Sequence, residues 1–192
     1  MRHAINKQLP RFSWAYWRRL VTFFLTLLII ALLSAPALLG ILFMGGLLYL
    51  PCQAGSTTPA DHGLAGRDVL IETPAGQTIQ GYFLMGTNGA TIIIPPTLSA
   101  GRDNRLAEAA MLARHGYSVL IFESRPCAGI GPLTLGYREA GDISVALDYL
   151  LEQEGIDPNH IGVYGFSAAG AASLMAAAQR PELKAIVAEG GY

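Results

Sequence analysis

The sequence predicts an α/β fold: a β-hairpin leading into a mostly parallel sheet with helices on both faces, preceded by one transmembrane helix. Three observations predict it. Leu20 to Leu50 is a run of 31 residues without Asp, Glu, Lys, Arg, His, Asn or Gln. Two strand-like stretches flank the turn-like spacer Pro74-Ala75-Gly76-Gln77, as the arms of a hairpin would. Beyond them, short apolar runs alternate with stretches whose apolar residues recur at helical spacing, the signature of strands joined by crossover helices.

The apolar run comes first in the chain. A helix needs about 20 apolar residues to cross the hydrocarbon core, so residues 20–50 are long enough to span a bilayer with tilt, or with a kink at Pro36. Trp14, Tyr16 and Trp17 stand at one end and Tyr49 at the other, as an interfacial belt places them. Residues 1–19 carry Arg2, Lys7, Arg11, Arg18 and Arg19 and no acidic residue, whereas residues 51–66 carry only Asp61. The positive-inside rule makes residues 1–19 a cytoplasmic basic tail, residues 20–50 a signal anchor in the lipid bilayer, and the remainder extracytoplasmic. A cleaved signal is the competing reading, since Ala35-Pro36-Ala37 offers a small-residue site. Yet apolar sequence continues for 13 residues from Leu38 to Leu50, where a cleaved signal would turn polar. Tyr49-Leu50-Pro51-Cys52 is too bulky before its cysteine for a lipoprotein signal, and a re-entrant hairpin at Gly45-Gly46 is a minor third option.

Charge and cysteines exclude several classes. A net charge of −1 gives no electrostatic case for nucleic acid. Cys52 and Cys127 have no metal-ligand spacing with each other or with His3, His62, His115 or His160, so no metal and no cofactor is expected. Two cysteines are too few for a disulfide framework, and unpaired thiols are the expectation.

Residues 51–66 are small, polar and rich in Pro and Gly, which reads as a linker away from the bilayer. Strands are predicted at 68–73 and 78–84, then at 90–94, where β-branched residues suit a buried central strand. A helix follows over 102–115, with Leu106, Ala109, Ala110 and Ala113 on one stripe and Gly116 at its close. Strand 118–122, helix 137–154 (Ile143, Ala146, Leu147, Leu150, Leu151), strand 161–164, helix 168–179 and strand 185–188 complete the order. In such a sheet the chemistry sits at the carboxyl ends of the strands.

At one of those ends lies Gly165-Phe166-Ser167-Ala168-Ala169, the pattern G-x-S-x-A at a strand-to-helix junction. In a nucleophile elbow, G-x-S-x-G, a strained turn lifts the serine hydroxyl above the sheet edge. Small flanking residues are needed because strand and helix run close together there, and Ala169 is the next smallest substitute for the last glycine. The N–H of Ala168, opening a helix, points where an oxyanion would form. The bland alternative is a serine that merely caps helix 168–179.

With these residues the sequence resembles the α/β-hydrolase superfamily over roughly Arg67 to the end. The carrying segments are Thr134-Leu135-Gly136-Tyr137-Arg138-Glu139, the entry Ile156-Asp157-Pro158-Asn159-His160-Ile161-Gly162-Val163-Tyr164-Gly165-Phe166-Ser167, and the strand within 184–192. They are similar to serine hydrolases of the dienelactone-hydrolase and prolyl-oligopeptidase-like type. The resemblance implies a partial α/β-hydrolase fold over 67–192. It also implies hydrolysis of a small-molecule ester or peptide through an acyl-serine on Ser167.

Departures are as telling. Members usually carry His-Gly after the strand matching 90–94, followed by a backbone N–H that completes the oxyanion hole. This chain has Pro95-Pro96-Thr97, and proline has no N–H, so Thr97 is the first candidate donor. Where members read D-x-R-G-x-G, the chain reads Glu123-Ser124-Arg125-Pro126-Cys127-Ala128-Gly129. Arg125 is expected to tie loops together, and Cys127, off the elbow, is not expected to be a nucleophile.

A serine nucleophile needs a base, and in this fold the order is Ser, then Asp or Glu, then His. The 25 residues after Ser167 contain Glu182 and Glu189 and no histidine. His160 and His115 precede strands and so belong to the opposite sheet edge, His62 to the linker, and His3 to the basic tail. Glu189 is the candidate acid. The expectation is an N-terminal portion of a longer hydrolase, inactive by itself, or a non-catalytic binding module on the membrane.

Overall fold

The computed structural model describes residues 13–191, so Arg2, His3, Lys7 and Arg11 of the basic tail, and Tyr192, lie outside the described residues. The chain divides into two compact units, Met1–Gly45 and Gly46–Tyr192.

Helix α1 (Trp14–Leu48) runs through the first unit, and its last residues belong to the second. Its 35 residues, none buried, extend unbroken through Pro36. At 1.5 Å per residue it is roughly 50 Å long, more than the ~30 Å hydrocarbon core. Its threonine hydroxyls are satisfied within the helix. Thr22 Oγ1 donates to the Arg18 carbonyl (2.6 Å) and Thr26 Oγ1 to that of Thr22 (2.8 Å). The helix is long and apolar enough to cross a membrane, as an anchor or as a signal sequence.

The second unit is built on a six-stranded sheet in the order β1-β2-β4-β3-β5-β6. Strands β1 (Arg67–Glu72) and β2 (Thr78–Leu84) form the predicted hairpin, and β2 pairs antiparallel with β4 (Ser118–Phe122). Strands β3 (Thr91–Ile94), β5 (Ile161–Phe166) and β6 (Leu183–Glu189) continue from β4 in parallel.

Alternation along the strands sorts the core into two layers. Val69, Ile71, Phe83, Ile93, Leu120 and Val163 face α3 (Glu139–Leu151) and α4 (Ala168–Ala177), meeting Ile143, Leu147, Leu150 and Ala172. Leu84, Ile94, Val119 and Ile121 face α2 (Leu106–Arg114) through Leu106 and Ala109. Phe83 is 1% exposed and Leu120 is fully buried; each such side chain contributes about 1.5–3 kcal/mol by leaving water. Leu151, predicted on the buried stripe of α3, is 38% exposed as the last residue of that helix. Strand β6 is the last strand in this sheet order, with Val187 56% exposed.

Two expectations change at the amino-terminal end of this unit. Cys52 and Cys127 are not free thiols: they form a disulfide with Cα atoms 4.7 Å apart. Residues 51–55 do not run loose either. Gln53 makes a parallel bridge to Ala100, donating to the Ser99 carbonyl (2.7 Å) and accepting from Gly101 N–H (3.1 Å). The buried Ser99 hydroxyl engages the carbonyls of Leu50 (2.9 Å) and Pro51 (2.7 Å). A polar, Gly/Pro-containing stretch becomes ordered because a neighbouring loop accepts its backbone groups.

Candidate active site

Strand β3 leaves the sheet toward its neighbour β4, whereas β5 leaves toward β6 on the other side. The two adjacent parallel strands thus part at their carboxyl ends, the topological switch point where α/β sheets hold ligands. The loop after β3 begins Pro95-Pro96-Thr97, and the residue after β5 is Ser167.

Ser167 is half-buried with φ 56° and ψ −124°, a conformation outside the comfortable regions for a residue with a Cβ. Its side chain makes no capping hydrogen bond to α4, which removes the plain-cap reading. The turn is held by main-chain bonds on both sides. Ser167 N–H donates to the Glu189 carbonyl (2.8 Å), and the Ser167 carbonyl accepts from Gly170 (2.9 Å) and Ala171 (3.2 Å). Close packing dictates the glycine two residues earlier. A Cβ on Gly165 would stand 2.3 Å from the Ala169 carbonyl oxygen and 2.4 Å from Ser173 Oγ. Ala169, 4% exposed, fits where the pattern usually has glycine. As the first residue of α4, Ala168 has no intrahelical acceptor for its N–H.

Beside the elbow, Ala168 and Ala169 share a cleft with Pro95, Pro96, Leu98 and Leu133. Thr97 lies in the same β3 loop, its hydroxyl bonded to Asn104 Oδ1 (2.6 Å), and Leu98 follows with φ 43°. Glu189 ends β6 opposite Phe166. Its carboxylate accepts from the Tyr164 hydroxyl (2.6 Å), which holds the Tyr164 phenol above its usual pKa. Arg105 stacks over the Tyr164 and Phe166 rings at 5.2 and 5.5 Å.

Sequence reasoning missed the charged floor of this cleft. Arg125 ties loops as expected, donating to Asp142 (2.6 Å) and to the Ile130 carbonyl (3.0 Å). Burial pushes the Asp142 carboxyl up to about 6, against the pull of the Arg125 guanidinium. Burial also acts on Glu139, but hydrogen bonds from Thr134 Oγ1 (2.6 Å), Thr134 N–H (2.8 Å) and Gly136 N–H (2.9 Å) outweigh it and hold its carboxyl below the usual value. The hydroxyl of Ser124, also on the cleft, is buried without a partner among the described residues. The signal for Glu139 was present: Thr134 to Glu139 belongs to a segment already singled out, and its acidic residue three places after Gly136 suits a helix start.

The histidines fall elsewhere. His160 directly precedes β5 and its Nδ1 lies 2.7 Å from Asp157 Oδ2, so the six residues of β5 separate it from Ser167. At about 3.3 Å per residue that is roughly 20 Å. His115 closes α2 ahead of β4, at the same far edge, with Nδ1 2.8 Å from the Met111 carbonyl. Among the described residues no cluster of His, Cys, Asp and Glu forms a metal site.

This architecture has counterparts. The esterase Pf2001 of Pyrococcus furiosus superposes with a TM-score of 0.63 at 24% identity, covering 73% of this chain and 57% of that one. A 2,6-dihydroxy-pseudo-oxynicotine hydrolase gives 0.59 at 18% identity over 68% and 38%, and dipeptidyl peptidase 4 of Porphyromonas gingivalis 0.51 at 18% over 65% and 20%. These likenesses show the α/β-hydrolase fold. Uncharacterized proteins from two strains of Mycobacterium tuberculosis are 32% identical over 139 residues, and the chain spans 49% of their length. The profile of the X-Pro dipeptidyl-peptidase (S15) family matches residues 59–192. The chain therefore belongs to the X-Pro dipeptidyl-peptidase (S15) family, within the α/β-hydrolase superfamily.

Proposed function

We propose that this chain carries the nucleophile of a membrane-anchored serine hydrolase that cleaves ester or peptide bonds through an acyl-serine on Ser167. The observation that carries the reading is the backbone of Ser167, strained at φ 56° with its hydroxyl free of any capping role. Such strain persists where surrounding bonds over-determine it, and the β5–β6 ladder and α4 do so here.

In this reading Ser167 Oγ attacks the carbonyl carbon as a base takes its proton. The N–H of Ala168, with that of Thr97, holds the oxyanion. The carbon–oxygen or carbon–nitrogen bond of the leaving group then breaks, the leaving group takes up the proton, and water releases the acid from the serine. The base, a histidine, and the carboxylate that orients it are missing from this chain, whose match covers 49% of the relatives' length. Glu189 is the alternative acid, provided its carboxylate leaves Tyr164.

Residues 20–50 anchor the protein as a single-pass span. The basic tail places the N-terminus in the cytoplasm and the hydrolase unit outside. The Cys52–Cys127 disulfide supports that side, since disulfides persist in oxidising compartments. A second reading, a non-catalytic α/β-hydrolase-like binding module on the membrane, draws on the placement of His160 and His115 at the sheet edge opposite Ser167. Labelling of native membranes with a fluorophosphonate decides between them. Labelling that disappears in Ser167→Ala supports the hydrolase, and no labelling of the wild type favours the binding module.

A further inference from the structure

Two donors hold an oxyanion only when both stand at fixed places, since a misplacement of about 1 Å costs roughly a hundredfold in rate. The two proposed donors, Ala168 N–H and Thr97 N–H, are carried by different loops: Ala168 follows Ser167 on the elbow, and Thr97 lies in the loop after β3. Neither N–H donates a hydrogen bond among the described residues. Pro96 and Leu98, on either side of Thr97, line the cleft together with Ala168. The elbow arm is fixed by the β5–β6 ladder and by α4. The Thr97 arm lacks that support. Pro95 and Pro96 have no N–H to donate, and Leu98 sits at φ 43°, strained for a residue with a Cβ.

Two neighbouring residues supply the support. Asn104 Oδ1 accepts from the Thr97 hydroxyl at 2.6 Å, and Asn104 N–H donates to the Gly101 carbonyl (3.2 Å). Arg105, the next residue, stands at the N-cap of α2, and its carbonyl accepts from Ala109 N–H (3.0 Å). Its side chain, 11% exposed, pairs with Glu108 (3.2 Å) and lies over the rings of Tyr164 and Phe166. A largely buried guanidinium held between a carboxylate and two rings has little freedom to move. Phe166 directly precedes Ser167, and the Tyr164 hydroxyl holds Glu189, whose carbonyl takes the Ser167 N–H. Contacts therefore run without a gap from the Thr97 hydroxyl through residues 104 and 105 to the elbow. Helix α2 is already seated on the sheet by Leu106 and Ala109, so these contacts add a link between two loops rather than a place for the helix.

We infer that Asn104 and Arg105 are positioning residues for the oxyanion hole: Asn104 sets the Thr97 arm, Arg105 sets the elbow arm, and their adjacency in the chain fixes the separation of the two. The inference rests on the proposed roles of Ser167, Ala168 and Thr97.

The test is the rate at which a small fluorophosphonate labels Ser167 in native membranes, resolved into a saturating rate and a half-saturating concentration. Thr97→Val and Asn104→Leu cut the same hydrogen bond from its two sides. Each is expected to lower the saturating rate at least about tenfold, with the half-saturating concentration changed by less than about twofold. Because both act through one bond, the double variant is expected to be no slower than the slower single variant. Thr97→Ser keeps the hydroxyl and is expected to label several-fold faster than Thr97→Val. Thr97→Val is isosteric at a half-buried residue, so it reads the bond even where Asn104→Leu does not fold. Arg105→Gln is expected to lower the saturating rate at least about fivefold. Wild-type rates in Thr97→Val and Asn104→Leu, losses that multiply in the double variant, or a loss confined to the half-saturating concentration overturn the inference and leave Ser167 as nucleophile. A wild-type rate in Arg105→Gln overturns the part assigned to Arg105. No labelling of the wild type overturns the nucleophile and the inference with it.

Discussion

The main-chain N–H of Ser167 donates to the carbonyl of Glu189 at 2.8 Å, so the residue that makes the elbow is also the one that extends the β5–β6 ladder by a further bond. Strain at the turn is therefore balanced by sheet pairing on one side and by the first bonds of α4 on the other. The hydroxyl, with no capping duty, is left available for chemistry.

That division of labour separates stability from activity at one position. A serine that capped α4 would cost about 0.5–2 kcal/mol on replacement by alanine. Here Ser167→Ala is expected to change the unfolding free energy by less than about 0.5 kcal/mol, since no cap bond is lost. Ser167→Gly is expected to raise stability relative to Ser167→Ala, because glycine adopts φ 56° without strain. Chemical denaturation of the three proteins checks this; a loss above ~1 kcal/mol in Ser167→Ala would restore the cap.

Gly165 tests the close approach of β5 and α4. Gly165→Ala puts a Cβ 2.3 Å from a backbone oxygen of α4, which no side-chain rotation relieves. The expected cost is about 1–3 kcal/mol of overpacking, or more if the helix cannot retreat. Adding Ser173→Ala removes only the neighbouring hydroxyl, so the double variant is not expected to recover. Recovery in the melting temperature would mean that Ser173, and not the Ala169 carbonyl, is the obstacle.

Much of this was legible from residue pattern. The hairpin, the strand–helix alternation and Ser167 at its junction each rest on local sequence, where turn chemistry and hydrophobic period act over a few residues. The contacts that were not legible all join distant segments. The cysteines lie 75 residues apart, and nothing local to Cys52 indicates that the loop after β4 passes within 4.7 Å of its Cα. The same holds for Gln53, whose pairing with Ala100 exists only because the β3 loop turns back across the carboxyl edge. Asp142 reads as one more polar residue on α3 until Arg125, 17 residues earlier, meets it under the cleft.

The two carboxylates of that cleft floor respond to pH with opposite signs. Glu139 has its carboxyl lowered in the folded state from 4.5, so its contribution is present above that value and lost as pH falls through the folded one. Glu139→Gln is expected to cost about 1.5–3 kcal/mol at neutral pH, the range for hydrogen bonds to a charged group, and to flatten the acid limb. Asp142 is raised from 3.8 to about 6, so its contribution is full below the first value and lost as pH rises through the second. Wild type should therefore lose stability relative to Asp142→Asn between pH ~4 and ~6, on the order of 3 kcal/mol. Unfolding free energies across pH 3–7 read both signs; parallel profiles for wild type and both variants would refute them.

Reduction is the sharpest probe of segment 51–55. In the chain-entropy description, a cross-link spanning 75 residues removes enough freedom from the unfolded chain to contribute about 4 kcal/mol. Dithiothreitol, or Cys52→Ser together with Cys127→Ser, should lower the melting temperature of the detergent-solubilised protein by roughly 10 °C. The hydrogen bonds of Ser99 to Leu50 and Pro51 and of Gln53 to the Ser99–Gly101 loop survive the loss of the bridge. Hydrogen exchange at Gln53 and Gly101 should then rise without reaching the rate of an unfolded chain. If reduction leaves the melting temperature unchanged, the cysteines are not cross-linked in the working protein, and the hydrogen bonds alone hold the segment to the loop after β3.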